Sequence, residues 1–439
     1  MTDVRRIAYD ALLLAEEGRG TNTLTKDVLD KYSYLDARDK SLLKRLIEGV
    51  TERRISIDHV LDQFSTVKAG KMKKQVRTLL RMGVYQLLYM DKMEDHAAIF
   101  ETVKIAKKTK GAAMSGFVNA VLRAVSKNID DIVWPAEEDG VVKYLSVKYS
   151  CPEWIVEKLV NEQGREHAED VLALSVSIRP VTARVNLSVT TVEDVISSGE
   201  AESSDICDIA VKLSGHDDIA SLNIISEGLA VVQDIASMLV CLVAGIKESD
   251  TVLDLCAAPG GKSLHAADIA TKGHVYAFDI SPLRASRIEE NANRCGFSNI
   301  TVGTKDATER DASLENSADV VIADVPCSGL GVMGRKNDIK YSVTQKRIDE
   351  LALLQKKILD NAAAYVKDGG TLIFSTCTCS VAENQENVRF LTENCHLKPV
   401  GFYDLLPAKL RDDTAKEGYI QLYGKDLATD GFFIARFTK

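Results

Sequence analysis

A chain of 439 residues is too long for one ordinary domain, and 45% hydrophobic with 27% charged residues describes a globular protein with two to four cores. The net charge of −9 argues against a nucleic-acid partner until the charge is located along the chain. No apolar run approaches the roughly 18 residues of a membrane span, so no membrane association is expected.

Nine cysteines, an odd number at irregular spacing, do not form a disulfide framework. The beginning Met1-Thr-Asp-Val-Arg-Arg6 has no apolar leader, so reduced thiols and a cytoplasmic location are expected. Residues 1–130 hold 24 basic and 17 acidic residues, a net +7, while the remainder holds 31 and 47, a net −16. A basic module on an acidic body points to a polyanionic partner for the module, against the plainer reading of a solvated helical surface.

The first 130 residues read as helices. Ile7, Ala11, Leu12 and Leu14 mark one; Leu42, Leu43, Leu46, Ile47 and Val50 another; Val76, Leu79, Leu80, Val84, Leu87 and Leu88 a third; Val118, Val121, Leu122 and Val125 a fourth. The basic stretch Lys68-Ala-Gly-Lys-Met-Lys-Lys-Gln-Val-Arg77 leads into a helix, a place where phosphates can meet side chains and backbone amides together. Acidic residues and Pro135 mark 131–148 as a linker. Residues 149–227 read as a small α+β unit, with two amphipathic helices and the alternating strand Val181-Thr-Ala-Arg-Val-Asn-Leu187. From 228 to 439, strands ending near Leu255, Asp279, Val302, Asp324 and Ser375 alternate with helices, the pattern of a doubly wound parallel sheet.

The first of these strands runs into Cys256-Ala-Ala-Pro-Gly-Gly-Lys262, so Cys256, Ala257, Ala258, Pro259, Gly260, Gly261 and Lys262 form a candidate cofactor turn. About 20 residues on, His274-Val-Tyr-Ala-Phe-Asp279 ends in an acid suited to ribose hydroxyls. Asp306 follows the third strand and is suited to an adenine end. The turn lacks the Gly-x-Gly-x-x-Gly and Walker patterns, which disfavours NAD and ATP and favours S-adenosylmethionine. Asp324-Val-Pro-Cys327 and Phe374-Ser-Thr-Cys377 end the next two strands and place two thiols at one sheet edge. Donors such as Thr376, Thr378 and a nearby Lys or Arg are expected to favour thiolate there. Cys377-x-Cys379 is too tight for a zinc pair and no histidine cluster completes it, so no metal is expected.

These motifs resemble the cytosine-5 RNA methyltransferases, the RsmB (Sun/Fmu) 16S rRNA branch in particular, over nearly the whole chain. Glu383-Asn384 after the second cysteine and the terminal Asp430-Gly-Phe-Phe-Ile-Ala435 are also similar to that family. Leu80-Arg-Met-Gly-Val-Tyr-Gln-Leu87 and Phe117-Val-Asn-Ala-Val-Leu-Arg123 resemble a NusB-like RNA-binding module. The resemblance implies an all-α NusB-like N-terminal domain, a small α+β middle domain and a Rossmann-like α/β methyltransferase domain. It further implies S-adenosylmethionine as cofactor, 16S rRNA as partner with a target of the C967 type, and a monomer. By the same resemblance Cys377 is the nucleophile with Cys379 as runner-up, Cys327 assists product release, and Asp324 holds the base edge. Gly334 and Asn337 depart from the family's Arg-Arg-x-Pro-Asp pattern, while Arg335 and Asp338 remain. The rival expectations are a tRNA cytosine-5 methyltransferase and a non-catalytic antitermination factor.

Overall fold

The computed structural model describes residues 3–91, 93–109, 112–214, 219–424 and 429–439. By internal packing the chain divides into two compact units, Met1–Ser177 with Met333–Ser342, and Ile178–Val332 with Val343–Lys439.

The first unit is helical. Its helices include Val4–Ala15, Thr21–Lys31, Ala37–Glu52, Arg54–Phe64, Lys74–Tyr89, Asp95–Lys107 and Ser115–Lys127. One core gathers their apolar faces, with Leu46, Ile47, Leu79, Leu80, Val118 and Leu122 all inaccessible to solvent. The expected periodicity is met except at Leu14, which faces outward at 37% exposure. In the basic stretch, Arg77 is paired with Glu16 at 2.7 Å and Lys74 with Glu17, so part of its charge is neutralised locally.

The units cut the chain differently from the sequence reading. Residues 141–148, read as linker, form the helix Val141–Lys148, and the helices Glu153–Gln163 and Arg165–Leu174 pack with the first unit. So does the segment Met333–Ser342, although the methyltransferase pattern surrounds it. Lys340 is fully buried, donates to the Glu52 carbonyl at 2.8 Å, and is pulled down to about 8 by that burial. Tyr341 lies 4.0 Å beneath the Arg54 guanidinium, and the Asp338 carboxylate accepts the Thr21 amide at 3.2 Å. A buried lysine breaks the usual pattern of burial, which hides such a segment from sequence reading.

The second unit holds two sheets. The smaller comprises β1 (Thr182–Val185), β2 (Ala201–Ser203), β3 (Ala210–Leu213) and β4 (Ala230–Val232) in the order β2-β3-β1-β4, with β1 antiparallel to both neighbours. The larger comprises β5 (Thr251–Asp254), β6 (His274–Asp279), β7 (Ile300–Thr304), β8 (Ala318–Asp324), β9 (Val366–Thr376), β10 (Lys398–Pro399), β11 (Tyr419–Leu422) and β12 (Phe432–Thr438). Its order is β10-β12-β9-β8-β5-β6-β7, with β11 paired to β12. The five strands from β9 to β7 are parallel, and β12 closes antiparallel onto β9.

Alternate residues of each central strand enter two different cores. Val252, Val320, Ile322 and Ile373 pack on one face, and Leu253, Val321, Ala323, Leu372 and Phe374 on the other. Such near-continuous apolar runs are what a sheet covered on both faces requires. The chain moves outward from β5 to β7 and then returns to β8 beside β5, so the strand order reverses between β5 and β8. The crevice beyond the carboxyl ends of those two strands is where open α/β sheets take ligands.

A buried ion pair joins the smaller sheet to the helix Gly261–Ile269. The Asp268 carboxylate accepts Arg184 Nη1 of β1 at 2.5 Å, the Ser188 amide at 2.8 Å and the Leu187 amide at 3.1 Å, while both charged side chains are almost wholly buried. Removing one partner strands a buried guanidinium, so Asp268→Ala is expected to lower stability by about 3–5 kcal/mol. A urea titration checks this; a midpoint shift worth less than about 1 kcal/mol contradicts it.

Candidate active site

The turn after β5 is shaped from within. The Ala257 amide donates to the Phe278 carbonyl at 2.8 Å and the Gly260 amide to the Ala257 carbonyl at 2.7 Å. Gly260 has φ +108°, and a Cβ there would come within 3.2 Å of Ile288. A side chain is therefore strained and crowded at this point, and the backbone stays bare at the start of the helix Gly261–Ile269. The Ser263 hydroxyl donates to Asp254 Oδ2 at 2.6 Å, whereas Asp254 Oδ1 is buried without a partner. Burial pushes the Asp254 carboxyl up to about 7.

The predicted acids stand at the ends of successive strands. Asp279 is 2% exposed and accepts the Ala258 amide at 3.3 Å and the Ser281 amide at 3.1 Å, with Arg284 3.2 Å away. It thus braces the turn as well as standing beside it. Asp306 folds onto the Thr308 amide at 2.8 Å and the Thr308 hydroxyl at 2.7 Å. A bare turn with carboxylates around it fits the hydroxyl and amino groups of a nucleoside carrying an amino acid.

β8 and β9 pair in parallel with Asp324 opposite Ser375. That register brings the two loops beyond them together, and the Cys327 and Cys377 sulfurs lie 3.2 Å apart. The contact with Cys377, together with burial, holds the Cys327 thiol well above its ordinary value. Cys379 is fully buried, with Gln421 Nε2 3.5 Å from its sulfur.

Asp324 is held from two sides, by Lys262 Nζ at 2.7 Å and the Ser375 hydroxyl at 2.7 Å. Burial alone would lower the Lys262 ammonium, but the Asp324 carboxylate reverses this and raises it. The last residue of the turn after β5 is thereby tied to the first residue of the Pro-Cys motif.

The donors expected around the thiols are directed elsewhere. The Thr376 hydroxyl donates to Asn384 Oδ1 at 2.6 Å, the Thr378 hydroxyl to Glu383 Oε2 at 3.2 Å, and Lys262 to Asp324. Their effect on the thiols is architectural. Glu383 is fully buried and accepts the Ser328 amide at 2.8 Å, the Ser328 hydroxyl, the Thr378 hydroxyl and Gln355 Nε2 at 3.1 Å. Gln355 Nε2 also donates to the Pro326 carbonyl at 2.9 Å, and Asn387 Nδ2 donates to Gln355 Oε1 at 2.8 Å. One buried carboxyl thus joins the loop of Cys327 to the loop of Cys377, and burial raises it above the usual carboxylate range.

Asn384 completes the clamp, donating to the Thr378 carbonyl at 2.9 Å and to Gln421 Oε1 at 2.8 Å. Gln355 and Asn387 were not legible in the sequence, because they reach the site from helices Gln345–Tyr365 and Gln385–Glu393 with no motif of their own. Gly431 of the terminal motif lies against Gly331: their backbones bond at 3.0 Å, and a Cβ on Gly331 would stand 2.0 Å from the Gly431 carbonyl oxygen. The Gly331 amide donates in turn to the Cys377 carbonyl at 3.0 Å.

Of the two departures, Asn337 is buried in the helical unit at 7% exposure, and the neighbouring Arg335 carbonyl accepts Asn22 Nδ2 at 2.9 Å. Gly334 lies in the same segment. Among the described residues no cluster suits a metal ion and no helix is long and apolar enough to cross a membrane.

The chain is similar to known proteins along its whole length. Residues 241–438 match the family model described as 16S rRNA methyltransferase RsmB/F, and residues 2–127 match that of the NusB family. A probable ribosomal RNA small subunit methyltransferase B of Bacillus subtilis is 36% identical over 100% of this chain and 99% of its own. The solved structure of PH0851 superposes with a TM-score of 0.79 at 25% identity, covering 100% of this chain and 99% of its own. NSun6 from Pyrococcus horikoshii, solved with SFG, shares the fold at a TM-score of 0.57 and 22% identity, covering 66% of this chain and 98% of its own.

Proposed function

Because the chain belongs to the family of ribosomal RNA small subunit methyltransferase B, we propose that it methylates C5 of one cytosine in 16S rRNA through a covalent adduct between Cys377 and C6 of the base. The enzyme is S-adenosylmethionine-dependent. The finer reading is supported above all by the 3.2 Å approach of the Cys327 and Cys377 sulfurs beside the turn at 256–262.

The chemistry explains why two thiols are needed. C5 of cytosine is a weak nucleophile until a sulfur adds at C6 and turns the ring into an enamine. Bound S-adenosylmethionine supplies the electrophilic methyl group that C5 accepts. The residues to hold it are the turn 256–262, Asp279 and Asp306, with Asp324 at the reacting end. Cys377 forms the S–C6 bond. Asp324, kept in place by Lys262 and Ser375, accepts a hydrogen bond from the base edge and supports its protonated form. A water molecule at the site takes the C5 proton, the C–H electron pair restores the C5–C6 double bond, and the S–C6 bond breaks to release Cys377 as thiolate, a departure that Cys327 assists. The base must be unpaired or flipped out, so the substrate is rRNA whose target is still accessible. Resemblance to the family adds a target of the C967 type and a cytoplasmic reaction to this reading.

Replacing Cys327 with alanine tests the division of labour. Methyl transfer to the first base should proceed while release fails, leaving a protein–RNA adduct visible on a denaturing gel. Free turnover of Cys327→Ala without adduct would remove Cys327 from the release step.

A further inference from the structure

A groove of about 1070 Å³ runs between the helices Asp95–Lys107 and Ser115–Lys127. The first helix packs inward through Ala98, Ile99, Thr102, Ile105 and Ala106, whereas Phe100 is 65% exposed and lines the groove. Lys107 lies seven residues on, along the same side of the helix. From the second helix Asn119, Arg123 and Lys127 follow at intervals of four, one stripe facing the same space. Of the nearest acids, Glu101 is paired with Lys104 at 2.8 Å, whereas Asp95 lines the groove and accepts only the neutral Ser126 hydroxyl at 2.6 Å, so one carboxylate stands among the three cations. Lys107, Arg123 and Lys127 have no carboxylate partner among the described residues.

The geometry points to this groove as a binding surface for single-stranded RNA, an inference that rests on the RNA-methyltransferase reading and names where the helical unit takes its substrate. An exposed aromatic ring offers a face on which a base stacks, and cations around it meet the flanking phosphates. The Asn119 amide presents both a donor and an acceptor to a base edge, although Arg123 Nε already reaches its Oδ1 at 3.3 Å. Duplex RNA hides the faces of its bases and gains nothing from Phe100. An acidic peptide would be served by the cations alone. The net +7 of residues 1–130 draws the same partner from a distance.

The test is fluorescence anisotropy of the full-length protein with a labelled short single-stranded RNA, across a salt series. Phe100→Ala should weaken binding about ten-fold or more, the contribution of one stacked base, while Phe100→Tyr retains it. Arg123→Glu and Lys127→Glu should each weaken binding and flatten the salt slope by roughly 0.7 or more. Because Phe100 is exposed, a thermal melt of Phe100→Ala should match the parent. Unchanged affinity and slope in these variants would overturn the assignment, as would equal displacement of the RNA by polyglutamate or by duplex of the same sequence. Methylation by the parent protein is measured alongside. Its absence would sink the proposed reaction, whereas intact methylation with unaltered RNA affinity in Phe100→Ala would sink the groove alone.

Discussion

Cys377→Ala is expected to abolish methyl transfer, with turnover falling by at least about four orders of magnitude, as when other covalent nucleophiles are removed. The adduct with RNA should disappear together with turnover, since both need the S–C6 bond. Binding of S-adenosylmethionine should survive, because the turn at 256–262 is braced by its own backbone and by Asp279. The measurement is incorporation of a labelled methyl group into rRNA transcribed in vitro, with equilibrium binding of the cofactor as control. Cys379 cannot substitute from a fully buried position. Retained turnover in Cys377→Ala would end the proposed mechanism. If Cys379→Ala proved to be the dead variant instead, the nucleophile would have to be reassigned.

The second large effect is expected at Glu383, which touches no substrate in the proposed reaction. Glu383→Ala leaves the Ser328 amide and hydroxyl, the Thr378 hydroxyl and one Gln355 N–H without their acceptor. Each orphaned buried donor costs roughly 1–3 kcal/mol unless it finds water. The two cysteine loops then lose their common tether, and a displacement of about 1 Å at reacting atoms reduces rate by about 100-fold.

Glu383→Gln discriminates between anchoring and proton transfer. Its carbonyl can still accept from the Ser328 amide and Gln355, while its amide donates to the two hydroxyls, which can rotate to accept. Near-parental turnover in Glu383→Gln with about 100-fold loss in Glu383→Ala identifies a positioning residue. Equal loss in both would show that the carboxyl itself takes part in the chemistry.

The parts legible in the sequence are those coded locally. Val252–Lys262 announces a strand, a tight turn and a helix within eleven residues, and each follows from side-chain periodicity or from glycine. The ends of β8 and β9 were equally plain, because apolar runs stop at Asp324 and Ser375. Their adjacency was expected from the alternation of strands and helices, but the register that sets the sulfur separation was not. That depends on how two strands pair, and Asp324 opposite Ser375 is written in neither motif.

The clamp was hidden for a similar reason. Thr376 and Thr378 flank Cys377, a placement that suggests donors to the thiol, yet their hydroxyls turn to Asn384 and Glu383. A polar side chain in a loop has several partners within reach, and tertiary packing chooses among them. The assignment of 333–342 to the helical unit was hidden by its shortness, since ten residues are too few for hydrophobic periodicity to establish membership in a core.

That ten-residue excursion bears on how the chain can be dissected. The polypeptide passes between its two compact bodies three times, after Ser177, after Val332 and after Ser342. A cut after residue 177 therefore does not release a self-sufficient catalytic fragment. It would leave the segment bearing Lys340 and Tyr341 without Glu52, Arg54 and Ser150, the groups it packs against. The helical unit would meanwhile lose a strip of its own packing. The chain enters the second body, returns to the first and leaves it again, so separation calls for excising or grafting that segment as well as cutting after Ser177.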